Sequence, residues 1–138
     1  LEKYAVAAGG AENHRWRLDE LILVKDNHKE LIGGIEAALA AVRGSGHDLS
    51  LTEFEVETLE ELERCLEAGV GWVLLDNMDL PTIRKAVELN AGRAKLEVSG
   101  GVKPGRLAEL AATGVDRLSM GFLTHSIRSM DLALDLDS

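Results

Sequence analysis

The chain has 138 residues, of which 46% are hydrophobic and 28% are charged, and its formal net charge is −9 at pH 7. This size and balance are typical of one globular domain with a hydrophobic core. The negative charge argues against a nucleic-acid binder, and no apolar run approaches the length of a membrane span. The one cysteine, Cys65, excludes an internal disulfide and favours a reducing compartment. We therefore expect a cytoplasmic protein. Cys65 lies within a predicted helix, and we expect its side chain to have a packing role.

Apolar runs that predict strands alternate along the chain with amphipathic segments that predict helices. A helical pattern opens the chain at Leu1–Val6. The predicted strands are Leu21–Lys25, Phe54–Glu57, Trp72–Asp76, Lys95–Ser99 and Arg117–Gly121, with a weaker sixth at Leu132–Leu136. The predicted helices between them are Lys29–Arg43, Leu59–Ala68, Leu80–Leu89 and Pro104–Ala112. Strands separated by helices pair in parallel, so residues 1–138 predict one α/β domain, either a doubly wound sheet or most of a (β/α) barrel.

Basic and hydrogen-bonding side chains surround the first predicted strand. Asn13-His14-Arg15 precede it, and Lys25-Asp26-Asn27-His28 follow it. Ligands of α/β folds bind at the carboxyl ends of the strands, so this concentration predicts a site for an anionic ligand. Lys25 is open to three roles: a Schiff-base nucleophile, a carboxylate-binding cation or a partner for a strand acid. His14 and His28 lack the spacing of zinc ligands.

Carboxylates occupy the second and third predicted strands. Glu53, Glu55 and Glu57 alternate and therefore share one face, and Asp76 ends the third strand. The ordinary interpretation of the three glutamates is that they face water from a half-exposed strand. The ordinary interpretation of Asp76 is that it caps the next helix. In a barrel, a buried carboxylate needs a metal ion, a lysine or substrate hydroxyls as its partner. Glu55 and Asp76 are therefore candidates for holding Mg²⁺ or ribose hydroxyls.

Glycine-containing segments follow the fourth and fifth predicted strands. They are Ser99-Gly100-Gly101 and Gly121-Phe122-Leu123-Thr124-His125. Glycines let the backbone approach a ligand, and the N–H groups that open a helix bind phosphate. The loops after the last strands of α/β barrels often form such a site, and we expect a helix to begin at Thr124-His125-Ser126. Two ordinary strand-to-helix turns are the alternative interpretation.

A series of short motifs runs from the first residue to Leu134-Asp135-Leu136. They are Tyr4-Ala5-Val6, Gly9-Gly10, Asn13-His14-Arg15, Val24–His28, Glu53–Glu57, Leu74–Met78, Glu97–Gly101, Gly114–Asp116 and Gly121–Ser126. In this order and at this spacing, the motifs resemble the quinolinate phosphoribosyltransferase family.

The resemblance implies a barrel enzyme of NAD biosynthesis that transfers a phosphoribosyl group from phosphoribosyl pyrophosphate to quinolinate. Carbon dioxide and pyrophosphate would be lost, giving nicotinate mononucleotide. The resemblance implies quinolinate contacts from His14, Arg15 and Lys25, ribose or Mg²⁺ contacts from Glu55 and Asp76, and catalysis by Lys25, Glu55 and Asp76. The 5′-phosphate would contact Ser99, Gly100, Gly101, Gly121, Phe122, Leu123 and Thr124, with His125 in support. A homodimer or larger homo-oligomer is implied as well.

The sequence departs from the family pattern in several places. Ala11 replaces a frequent glycine, the Trp16-Arg17 pair is bulkier than usual, and Phe122 replaces a common alanine. The family's N-terminal domain and the Thr-Arg-Lys-Thr-type segment of its first barrel strand are not in this sequence. We therefore expect an incomplete barrel with an unpaired sheet edge, and weak or no activity from the isolated chain.

Three other functions are compatible with the residues. One is a phosphoribosyltransferase for nicotinate or another base. A second is a barrel lyase or aldolase that uses Lys25 covalently, which borohydride trapping of a substrate would support. The third is a phosphate-binding fragment without chemistry, which would bind phosphoribosyl pyrophosphate and release no pyrophosphate.

Overall fold

Five parallel strands form one sheet in the part of the chain that the structure describes. The structure is a computed structural model, and it describes residues 1–15, 21–126, 129 and 131–135. The strands pair in the order β1-β2-β3-β4-β5, so the sheet is an incomplete α/β barrel with β1 and β5 at its open edges. Their bounds are β1 Ile22–Val24, β2 Thr52–Val56, β3 Trp72–Asp76, β4 Lys95–Ser99 and β5 Arg117–Leu118.

The two faces of the sheet differ in chemistry. On one face, Phe54 and Leu96 are buried in a hydrophobic core that the sheet shares with the helices. We call the opposite face the inner face. There the strand register aligns Glu55 on β2, Glu97 on β4 and Arg117 on β5, and β3 lies between the two acids. Side chains alternate along each strand, so one strand supplies both the core and the polar groups of the inner face.

The helices differ from the predicted ones mainly between β1 and β2. There the predicted helix Lys29–Arg43 is wrong, because Gly33 and Gly34, with φ of +99° and +103°, separate two helices. Only glycine adopts such angles readily. Within the described residues, no helix is long and apolar enough to cross a membrane. The helices are α1 Glu2–Ala8, α2 Asp26–Ile32, α3 Ile35–Gly44, α4 Leu59–Ala68, α5 Leu80–Asn90, α6 Leu107–Ala111 and α7 Phe122–His125, with 3-10 turns at Leu49–Leu51 and Pro104–Arg106.

Several predicted boundaries near the end of the chain are wrong. The predicted helix Pro104–Ala112 is a 3-10 turn followed by the short α6. The fifth strand ends at Leu118 instead of Gly121, and α7 begins at Phe122 instead of Thr124.

The predicted sixth strand, Leu132–Leu136, does not form in its described part. Residues 131–135 are outside any strand, and Leu132 and Leu134 are exposed. Leu136 lies outside the described residues. Alternating leucines predict a strand only where a neighbouring strand accepts their hydrogen bonds, and the strand order assigns β5 no second neighbour.

A largely buried ion pair joins α2 to α4. Lys29 Nζ lies 2.7 and 2.8 Å from the two carboxylate oxygens of Glu61, and Lys29 is 4% exposed. Cys65 is fully buried one turn further along α4, which confirms its predicted packing role. Burial raises the pKa of the Cys65 thiol to about 12, so this thiol stays protonated at neutral pH.

Candidate active site

The carboxyl ends of β1, β2 and β3 hold Lys25, Glu55 and Asp76. Lys25 is exposed at the start of α2, where its backbone N–H donates to Nδ1 of His28 at 3.0 Å. Glu55 is buried on β2, and Asp76 is half-buried at the end of β3. Three groups predicted from separate motifs therefore lie at the carboxyl ends of three adjacent strands, which we call the acidic edge.

The Glu55 carboxyl is the electrostatic centre of this edge. Burial raises its pKa, and the charge of Asp76 raises it further. The backbone N–H of Asp26, which donates to Glu55 Oε1 at 3.4 Å, and the charge of Lys25 both lower that pKa. The charge of Asp76 therefore disfavours the ionised Glu55 carboxylate, and a divalent cation held by the two carboxyl groups would relieve that repulsion.

A cleft of about 450 Å³ opens beyond the ends of β4 and β5. We call it the glycine cleft. Its lining includes most of the predicted phosphate-binding residues, namely Ser99, Gly100, Gly101, Gly121, Phe122 and His125. Two segments separated in the sequence therefore meet around one space, as the loop motifs predict.

The backbone at Gly100 is tightly constrained on the side of β3. Gly100 has a φ of +82°, and a Cβ at this position would lie 2.8 Å from the backbone nitrogen of Asn77. That nitrogen donates to the Ser99 carbonyl at 3.1 Å, which ties the loop after β3 to the loop after β4. A residue without a side chain is therefore required at Gly100 for both steric and conformational reasons.

A second cleft of about 450 Å³, called the N-terminal cleft here, lies between the chain's first segment and the end of β5. Its lining includes His14, Arg15, Arg117, Leu123 and Thr124. Leu123 and Thr124, which the sequence groups with the phosphate loop, thus face this cleft instead of the glycine cleft. The Arg15 guanidinium donates to the Leu21 carbonyl at 3.2 Å, which fixes the side chain beside the start of β1.

Four charged side chains meet on the inner face and form what we call the inner charge cluster: His14, Glu53, Glu97 and Arg117. Nε2 of His14 lies 3.0 Å from Oε2 of Glu53 and 3.5 Å from Oε1 of Glu97. The Arg117 guanidinium donates to Oε2 of Glu97 at 3.2 Å and stacks 4.2 Å from the centre of the Trp72 ring. Both glutamates are 0% exposed. Charges from four separate elements of the chain therefore meet on one face of the sheet.

The cluster changes the ionisation of His14. Close contact with the Glu53 carboxylate raises the pKa of His14 most, and the charge of Glu97 raises it further. Burial and the charge of Arg117 both act to lower it, but the net direction is upward. The surroundings of His14 therefore favour the imidazolium over the neutral ring.

The structure groups the predicted site residues differently from the sequence motifs. His14 and Arg15 share the N-terminal cleft, whereas Lys25 lies at the acidic edge beside Glu55 and lines neither cleft. The candidate site residues of the sequence omit Glu53, Glu97 and Arg117. One signal for Glu97 was available: it interrupts an apolar run as Glu55 interrupts β2.

The fold and the site together define a class of domain: an incomplete α/β barrel with clefts at the carboxyl ends of its strands. A sequence model of the quinolinate phosphoribosyl transferase C-terminal domain matches residues 1–135. The chain belongs to this family.

Curated relatives and solved structures agree with this membership. The chain is 42% identical over 137 residues to the probable nicotinate-nucleotide pyrophosphorylase [carboxylating] of Bacillus subtilis, covering 99% of this chain and 47% of the relative. The crystal structure of nicotinate-nucleotide pyrophosphorylase from Ehrlichia chaffeensis superposes with a TM-score of 0.91 at 36% identity, covering 98% of this chain and 49% of the other. NadC from Streptococcus pyogenes gives 0.85 at 40% identity, covering 94% and 46%. The chain therefore spans about half the length of these relatives.

Proposed function

We propose that this chain supplies the acceptor and phosphate sites of a quinolinate phosphoribosyltransferase. In this reaction the ring nitrogen of quinolinate forms a bond to the anomeric carbon of phosphoribosyl pyrophosphate. Pyrophosphate leaves from that carbon, one carboxyl group is lost as carbon dioxide, and the ring carbon that carried it takes up a proton from water, which gives nicotinate mononucleotide. The observation that carries the proposal is the family match along residues 1–135, together with the two clefts at the strand ends.

The carboxylates of quinolinate would be bound from the N-terminal cleft and its surroundings. His14 and Arg15 line that cleft together, and the fixed guanidinium of Arg15 is suited to a planar carboxylate. Lys25 is exposed at the carboxyl end of β1, on the opposite side of the sheet from β5, and its ammonium would approach a ligand held over the inner face from there. A dicarboxylate needs more than one cation, and the three residues supply them from two sides.

The ribose and its departing pyrophosphate would lie over Glu55 and Asp76. Cleavage at the anomeric carbon builds positive charge on the sugar, which nearby carboxylates stabilise. These two carboxyl groups lie on neighbouring strands, and the charge of Asp76 disfavours that of Glu55, so they would suit a Mg²⁺ ion that accompanies phosphoribosyl pyrophosphate. Mg²⁺ would neutralise negative charge on the leaving pyrophosphate.

The 5′-phosphate would occupy the glycine cleft. Gly100 and Gly101 have positive φ, and a loop of this conformation can present its N–H groups to an anion. Ser99 and His125 add polar side chains to the same lining. Phe122 contributes through its backbone, so its bulky side chain is compatible with this role.

The most direct test uses a chimera, because the chain spans half of its relatives. The matching segment of the Bacillus subtilis relative is replaced by this chain, and pyrophosphate release is measured with quinolinate and, separately, with nicotinate. We expect release with quinolinate, and a loss of at least about a hundredfold in Lys25→Ala. Lys85→Ala, an exposed lysine on α5, is the matched control and should leave the rate unchanged. Equal rates in Lys25→Ala and its control would refute the role of Lys25, and release with nicotinate alone would refute the substrate.

We also propose that the complete enzyme is a homo-oligomer. The support is the family membership alone, because the open edges of β1 and β5 favour association of this 138-residue chain and not of a closed barrel. Light scattering coupled to gel filtration of the chimera tests this proposal, and a monomer at all concentrations would contradict it.

A further inference from the structure

The geometry of the inner charge cluster places His14 between two buried acids. His14 belongs to the segment before β1, and its ring reaches across the inner face to Glu53 on β2 and Glu97 on β4. The two carboxylates are fully buried, whereas the His14 side chain is 26% exposed and lines the N-terminal cleft. The imidazole therefore connects the buried acids to a cleft that a ligand can enter.

The two acids differ in how their oxygens are satisfied. Glu97 accepts hydrogen bonds from Ser119 Oγ at 2.5 Å and from the Arg117 guanidinium at 3.2 Å. Neither oxygen of Glu53 has a hydrogen-bond partner among the described residues, and Oε2 lies 3.0 Å from Nε2 of His14. A buried carboxylate with no hydrogen bond is costly unless a cation lies beside it. The group in position to provide that cation is His14.

We propose that Glu53, assisted by Glu97, is a positioning residue that keeps the His14 ring as an imidazolium facing the N-terminal cleft, ready for a carboxylate group of the ligand. Where that ligand is quinolinate, the inference rests on the function proposed above. The two negative charges of Glu53 and Glu97 are then balanced by the two positive charges of Arg117 and His14. The upward shift of the His14 pKa has the direction that this arrangement requires.

A metal ion is the competing occupant of this position. One ligand atom from each of His14, Glu53 and Glu97 lies within 4.8 Å of the others. A metal would require the neutral imidazole, and it would lie next to the guanidinium that already neutralises Glu97. The charge balance therefore favours a protonated ring over a bound metal.

The charged groups that face His14 shift its pKa in opposite directions, so the test compares the signs of the pKa changes that their substitutions cause. Among the described residues, Glu53 and Glu97 raise the pKa of His14, while Arg117 lowers it. NMR titration of the histidine Cε1–H signals of the 138-residue chain measures this pKa, with the His14 signal assigned from His14→Gln. We expect Glu53→Gln and Glu97→Gln to lower the His14 pKa and Arg117→Gln to raise it. Glu57→Gln, an exposed acid just after β2, is the matched control and should produce no shift.

Opposite signs from variants of one cluster are not produced by a general loss of structure. If Glu53→Gln does not fold, Glu97→Gln and Arg117→Gln still carry the test. A His14 pKa below the ordinary histidine value would overturn the proposal, as would a pKa that is the same in the wild type and in all three variants. So would binding of added ZnCl₂ at one ion per chain that Glu53→Gln abolishes.

The consequence for the ligand is measured in the chimera. At about pH 8, Glu53→Gln should raise the KM for quinolinate by about tenfold with a smaller change in kcat, and at about pH 6 much of the loss should be recovered, because the free ring is then largely protonated. A loss of kcat with unchanged KM at both pH values would contradict the positioning role. If the chimera does not use quinolinate at all, the proposed function fails, whereas the titration of His14 is judged separately.

Discussion

Gly100 lies against Asn77 so closely that the backbone nitrogen of Asn77 would be 2.8 Å from a Cβ at position 100. The contact joins the loops that follow β3 and β4, and Gly100 itself lines the glycine cleft. Two requirements, a positive φ and a close backbone approach, therefore fall on the same residue.

Gly100→Ala should destabilise the chain strongly. Alanine at φ +82° is strained, and its methyl group would meet backbone that cannot rotate away, so we expect a loss of at least about 2 kcal/mol. The measurement is urea unfolding followed by circular dichroism. Gly105→Ala is the control, since nothing lies within 4 Å of its Cβ and its φ is not positive. A loss at Gly100 no greater than that at Gly105 would contradict the close approach.

Lys29→Met should leave Glu61 without its cation. Breaking a buried pair leaves a charge uncompensated, so we expect a loss of about 3 kcal/mol in the free energy of unfolding. Arg64→Gln removes the cation of two exposed ion pairs, with Glu36 on α3 and Glu67 on α4, and should cost less than about 1 kcal/mol. Adding Glu61→Leu to Lys29→Met should restore much of the loss, because the unpaired charge is then removed. Equal losses for Lys29→Met and Arg64→Gln would show that the Lys29 pair is not effectively buried.

Cys65 should be unreactive in the folded chain. Burial raises the pKa of its thiol to about 12, so almost no thiolate exists at about pH 8, and the sulfur is also covered. We expect the rate of reaction with Ellman's reagent to be at least about a hundredfold lower in the native chain than in urea. Because Cys65 is the one cysteine of the sequence, the colour reports this residue alone. Rapid labelling under native conditions would contradict the packing of α4.

The free energy of unfolding should depend on pH through the ionisation of His14. Its pKa is raised on folding, so the folded state binds the proton more tightly than the unfolded state. The stabilising contribution is therefore complete below the unfolded pKa of 6.5 and is lost as pH rises through the folded value. The unfolding free energy of the wild type minus that of His14→Gln, measured from about pH 5 to about pH 9, should fall with increasing pH. A flat or rising difference would mean that the His14 pKa is not raised.

Local signals explain how much of this structure the sequence predicts. Helix α4 is predicted from Leu59 to Ala68 and forms there, since Thr58 caps it by accepting the Glu61 N–H. The sequence also contains the signal for the break between α2 and α3, which is Gly33-Gly34. The apolar periodicity on either side of these glycines favours one continuous helix, so the break is not predicted.

The inner charge cluster could not be predicted in the same way. Its four side chains come from separate parts of the chain, and only strand register and the path of residues 1–15 bring them together. Alternation predicts that Glu53 and Glu55 share a face, but it does not reveal that one faces a histidine and the other the acidic edge. Leu123 and Thr124 illustrate the same limit, since a helix of one turn decides which cleft each side chain lines.

We have proposed that this chain carries the acceptor and phosphate sites of a quinolinate phosphoribosyltransferase. The most direct measurement is the stoichiometry of carbon dioxide, pyrophosphate and nicotinate mononucleotide formed by the chimera from carboxyl-labelled quinolinate and phosphoribosyl pyrophosphate. We predict equal amounts of the three products, and none of them when phosphoribosyl pyrophosphate is omitted. Pyrophosphate formed without carbon dioxide, or no product from a folded chimera, would contradict the claim.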